Sequence, residues 1–181
     1  NLLAASEDGP LPAGQDYWRT NTTRVPVVAT TNIYLVLKTD YNEVLFESDE
    51  SNNTISVPIH FDILSPDLAP LALEAPHTYT GPPNPTLTFA WGVTNQGAGA
   101  AEAWQTGSWV DRIYLSTNSV FDDSARFIAS RSESALLPAG RSYWRTNQFR
   151  VPILHSGAYY VFLIIDAEQT VYESTFANNT L

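Results

Sequence analysis

Apolar and polar residues alternate along this chain in short runs, each closed by proline, glycine, asparagine or aspartate. A period of two with Val, Ile, Thr, Tyr, Phe and Trp enriched is the pattern of half-buried β-strands. Between Thr86 and Val93, the residues Leu87, Phe89, Trp91 and Val93 fall on one face. Trp109–Leu115 predicts a second strand, Arg126–Ala129 a short third, and Ser142–Val151 a polar, aromatic fourth ended by Pro152. Ala158–Ile165 is apolar throughout and reads as a central strand, while Thr170–Glu173 begins the last. Helical periodicity is hard to find, and twelve prolines and nine glycines punctuate the chain at strand-length spacing. The expected class is all-β: an antiparallel two-sheet sandwich, with a hairpin-rich barrel as the alternative.

The pattern also repeats. Residues 11–55 align without a gap to residues 137–181 at a constant offset of 126, with 20 identities in 45 columns. Leu11-Pro12-Ala13-Gly14 and Tyr17-Trp18-Arg19-Thr20-Asn21 match Leu137-Pro138-Ala139-Gly140 and Tyr143-Trp144-Arg145-Thr146-Asn147. Arg24-Val25-Pro26, Glu47-Ser48 and Asn52-Asn53-Thr54 recur in the same way. A fixed period marks an array of structural units. The offset predicts the C-terminal half of one unit over 1–65 and a nearly complete second unit over 66–181, cut from a longer tandem protein. Pro66-Asp67-Leu68-Ala69-Pro70 reads as the junction, stiffened by its two prolines and closed to strand pairing. Residues 1–55 would then carry strand edges for neighbouring repeats or subunits to cover.

Composition narrows the function. The 181 residues include 19 acidic and 9 basic ones, a net charge of -10, and Lys38 is the only lysine. Such a field repels nucleic acid, whose binding needs clustered Lys and Arg. Without cysteine there is neither a disulfide nor a thiolate metal site. No run of about 18 apolar residues is present to span a membrane. His60, His77 and His155 lack metal-ligand spacing, and no nucleophile elbow or phosphate-cradling loop occurs. An enzyme is not expected.

Several features carry other chemistry. Glu47 with Asn52 and Asn53, and Glu173 with Asn178 and Asn179, could gather with Asp40 or Asp166 around calcium, a cofactor that favours carboxylate and amide oxygens. The competing role is local: the asparagines satisfy backbone groups at a turn in the last strand. Asp122 and Asp123 pose the same pair of readings. Tyr17-Trp18-Arg19-Thr20 and its copy offer an aromatic strip for a glycan, or else strand packing with Arg stacked on Trp. Val93-Thr94-Asn95-Gln96-Gly97 reads as a strand ending in a turn, with Gly97 at positive φ. Asn21, Asn52 and Asn178 head glycosylation sequons.

Pro66-Asp67-Leu68, Val93-Thr94-Asn95-Gln96-Gly97, Ile113-Tyr114-Leu115-Ser116, Leu137-Pro138-Ala139-Gly140, Val151-Pro152 and Glu173 before Asn178-Asn179 occur in one order. That ordered set resembles the CARDB domain, the cell adhesion related domain found in bacteria. The resemblance implies immunoglobulin-like sandwiches in tandem, without activity of their own, in large secreted or surface-attached prokaryotic proteins. It departs from the family at Asn118, where an Asp often follows the Tyr-Leu-Ser strand, and this counts against a metal in that loop. The function expected is a structural or adhesive repeat segment of an extracellular or cell-surface protein, forming a semi-rigid stalk or filament. The alternatives are a glycan- or surface-binding adhesin module and an accessory module of a secreted hydrolase.

Overall fold

The computed structural model describes residues 3–23, 25, 33–104 and 106–181. Arg24 and Pro26 of the repeated motif lie outside these. Two compact units emerge, 1–62 and 63–181. The described residues form eight strands and no helix.

The first unit holds an antiparallel pair, β1 (Ile33–Lys38) and β2 (Thr54–Ile59), in the register Lys38↔Thr54 to Ile33↔Ile59. Its alternation places Leu35, Leu37, Ile55 and Val57 on one face, and all four are exposed.

The second unit is an immunoglobulin-like antiparallel sandwich. One sheet runs β3 (Leu68–Glu74), β4 (Thr86–Asn95), β7 (Ser142–Arg150); the other runs β6 (Arg126–Glu133), β5 (Trp109–Ser116), β8 (Tyr160–Ile164). The period of two explains the core. Phe89, Trp91 and Val93 point inward from β4, Trp109, Ile113 and Leu115 from β5, and Leu163 from β8. Leu68, Val151, Ile165 and Val171 close it.

Several expectations change here. The Pro66–Pro70 stretch is no linker: Leu68–Pro70 opens β3, with Leu68 and Ala69 buried, and Pro70 sits at a bulge on this edge strand. The alternation signal missed β3 because Pro70 and the bulge interrupt it. The last predicted strand, Thr170–Glu173, reduces to one bridge between Val171 and Ala103. Its amides turn instead to the carboxylate of Asp166. Gly97 is not at positive φ. A Cβ there would come within 2.5 Å of the Asp67 nitrogen, so glycine serves close backbone approach.

Candidate functional site

The motifs that lie far apart in sequence meet at one end of the sandwich. Asn95 ends β4 fully buried. Its Oδ1 accepts from the N–H groups of Asp67 and Gly97, and its Nδ2 donates to the carbonyls of Gly99 and Leu137. One side chain thus joins the Asp67-Leu68, Asn95–Gly97 and Leu137–Gly140 segments. Glu173 accepts the Leu68 N–H at 2.6 Å and Asn179 Nδ2 at 3.0 Å. Asn178 Nδ2 donates to Asp67 at 2.9 Å.

Asp166 turns the chain out of β8 at a φ of 43°, an angle Asp tolerates better than most residues. Its carboxylate accepts the N–H groups of Thr170 and Val171 and the Thr170 hydroxyl. Burial drives the Glu173 carboxyl up to about 7, and the charges of Asp166 and Asp67 add to it, against the two hydrogen bonds it accepts.

These contacts bear on the calcium candidates. Asp166 and Glu173 present their carboxylate oxygens to protein donors rather than to an open cavity. The Oδ1 atoms of Asn178 and Asn179 are buried without a partner. Asp122 caps its own loop, accepting from Asn118 Nδ2 and from the Ser124 N–H and hydroxyl, which hold its carboxyl low. Asp123 is exposed beside it. Among the described residues, Asp40, Glu47 and Glu50 of the first unit are the acidic group whose oxygens lie within 4.8 Å of one another. Asn53 Nδ2 donates to both glutamates.

A second cluster links the two sheets. Asp111 occupies an inward position on β5. Its Oδ2 accepts the Tyr143 hydroxyl at 2.5 Å and Trp91 Nε1 at 3.3 Å, both from the opposite sheet. Trp109 Nε1 donates to the Tyr143 oxygen at 3.3 Å. Burial lifts the Asp111 carboxyl to about 6 despite these bonds. Burial and the Asp111 charge likewise raise the Tyr143 hydroxyl. Arg145 pairs with buried Glu133 of β6 and stacks over Tyr143, 4.8 Å from the ring centre. The expected Arg-on-Trp stack is therefore Arg on Tyr. Trp144 faces outward over Gly92, where a Cβ would lie 2.9 Å from the indole.

The same bonds recur 126 residues earlier. Asp40 accepts the Val44 and Leu45 N–H groups, Asn53 donates to Glu47, and Gln15 N donates to Pro12 O as Arg141 N does to Pro138 O. Arg19 pairs with Glu7 as Arg145 pairs with Glu133. Sequence reasoning missed Glu7, Asp111 and Glu133. The signals were present: Ser6-Glu7 matches Ser132-Glu133 at the same offset, and Asp111 interrupts the inward series Trp109, Ile113, Leu115.

A family model, CARDB, matches residues 65–181. Among solved structures, the CARDB domain of a Pyrococcus furiosus protein, in complex with di-metal ions, is similar at 19% identity. That match covers 66% of this chain and 91% of that one, with a TM-score of 0.47. A solution NMR structure of the same domain gives 18% identity, 65% and 91% coverage, and 0.45. Beta-glucosidase 3B from Thermotoga neapolitana, in complex with alpha-D-glucose, is similar at 14% identity over 69% of this chain and 16% of that one, with a TM-score of 0.40. No curated protein matches.

Proposed function

This chain belongs to the CARDB family, a non-catalytic, cell-adhesion-related domain family, and from that premise we propose that it is a structural repeat segment of a large extracellular or cell-surface protein. Its repeats line up as a semi-rigid stalk or filament. One observation carries this reading: the motif residues make the same bonds at both places 126 residues apart. Residues spent twice on turns, corners and strand ties serve a load-carrying frame rather than a pocket. The frame is tied at its ends, since Pro66 O accepts the Ser174 N–H and the Leu68 N–H reaches Glu173.

Single-molecule pulling on the intact chain tests it. Residues 63–181 should release in one event with a contour-length gain of about 40 nm at roughly 3.5 Å per residue. Extension without a discrete release would overturn the load-bearing role.

A glycan-binding adhesin is the second reading, favoured by Trp18, Trp104 and Trp144, which are all exposed. Trp109 is buried and offers no such surface. A glycan array screened with the native chain and with Trp144→Ala decides it: retained signal in the variant, or none in either, removes it.

A further inference from the structure

We infer that the outer face of the β3–β4–β7 sheet binds a neutral, β-linked polysaccharide, with Trp144 as its stacking platform. The inference rests on the glycan reading above and adds a site and a ligand class to it. Alternation along β7 puts Trp144 on the outer face, paired with Gly92 of β4. A Cβ on Gly92 would lie 2.9, 2.9 and 3.0 Å from Cε2, Cζ2 and Cδ2 of that indole. Near-equal distances to three carbons of one six-membered ring place that point over the ring's centre. The indole therefore lies flat on the glycine. One ring face covers Gly92, which is buried, and the other is open, leaving Trp144 51% exposed. The missing Cβ is what lets the ring lie down, so its pose is fixed before any ligand arrives.

The surroundings suit a sugar. The neighbouring cross-strand pairs on this face are Thr94↔Ser142, Ala90↔Thr146 and Thr88↔Gln148. Their side chains are short or carry neutral hydroxyl and amide groups, which both donate and accept. Gln148 Nε2 reaches Thr88 Oγ1 at 3.3 Å. Arg150 marks the far end of the face, opposite Thr86. A shallow depression of about 220 Å³ is lined by Glu74, Ala75, Pro76, Thr88 and Ala90. Ala90 is two residues along β4 from Gly92, so the depression opens about 7 Å from the glycine under the indole. A pyranose with equatorial hydroxyls has a flat face of axial C–H bonds, whose partial positive charge meets the negative face of an aromatic ring. β-Linkage keeps successive rings of such a chain in a flat ribbon. One ring on Trp144 would send a following ring toward the hydroxyls and the Glu74 carboxylate. The net charge of -10, with Glu74 in the depression itself, turns away acidic glycans.

Affinity electrophoresis of the full chain tests this, in gels holding hydroxyethyl cellulose, a neutral β-linked glucan, or carboxymethyl cellulose, its anionic counterpart. Every chain carries Trp18→Ala, which silences the other copy of the motif. The neutral polymer should retard this parent, and the anionic one should not. Trp144→Ala should weaken the retardation roughly tenfold. Gly92→Ala should do the same, because it keeps the indole but lifts it off the sheet. Parent-like binding by either variant, stronger retardation by the anionic polymer, or no retardation in either gel overturns the inference. If Gly92→Ala melts early, Thr88→Val takes its place: losing that hydroxyl should weaken binding about threefold, and parent-like binding again overturns the inference. The glycan array separates the two readings. An array signal that Trp144→Ala abolishes, beside parent-like Gly92→Ala or a preference for the anionic polymer, removes the neutral platform and leaves the adhesin standing. A silent array with no retardation removes both.

Discussion

At the scale of single residues, two buried carboxyls set how stability depends on pH. Asp111 rises from 3.8 to about 6 and Glu173 from 4.5 to about 7. A raised carboxyl binds its proton more tightly in the folded chain than in the unfolded one. The stabilisation is whole below the unfolded values and disappears as pH climbs through the folded ones. The melting temperature should therefore fall between about pH 4 and 7, by the equivalent of roughly 2–3 kcal/mol per group. Melting curves across that range check it, and Asp111→Asn should flatten the step near 6 while leaving the one near 7. A curve rising over this window would contradict both assignments. Neither behaviour was legible in the sequence. An Asp inside an otherwise apolar alternation shows that a polar group enters the core, but Tyr143 and Trp91 reach it from other strands. Glu173 stands out in the sequence beside Asn178-Asn179, yet its partner Leu68 lies 105 residues away.

At the scale of elements, one set of residues has opposite fates in the two units. Leu37 is 58% exposed and its counterpart Leu163 is fully buried; Leu45 is 65% exposed and Val171 fully buried. Identical strand grammar forms a core only where a second sheet faces it, as β3, β4 and β7 do in the second unit. The isolated segment 63–181 should therefore unfold cooperatively in urea, and the isolated segment 1–62 should show no cooperative transition. A sigmoidal transition with native-like near-ultraviolet dichroism from 1–62 would refute this. The strands β4, β5, β7 and β8 were readable because each keeps a period of two or an apolar run, whereas β6 was read only over Arg126–Ala129, since its polar half Ser130–Glu133 carries no such signal. β3 was not, since Pro70 and its bulge break the period, and neither was the Asp166 corner, which takes the Val171 N–H out of the ladder that its alternation predicts.

At the scale of the whole molecule, four of the six ordered motifs prove to be joined in a single polar network. Asn95, Glu173, Asn179 and Asp67 bind segments that sequence order keeps apart. Order along the chain was therefore legible as a family pattern, while its cause was not, because hydrogen bonds across 42 and 111 positions leave no local trace. Pro58 carries the remaining consequence. A ladder that can recruit on both flanks lengthens without limit, as amyloid does. In β2, Pro58 stands opposite Tyr34 with its nitrogen on the flank away from β1, where it has no hydrogen to give, so the ribbon ends there. Pro58→Val restores the missing donor and should nucleate thioflavin-positive aggregates faster than the parent chain does; if the two stay equally clear, that proline is not the safeguard. What reads as a gap in one strand's bonding is then the boundary at which the ribbon stops.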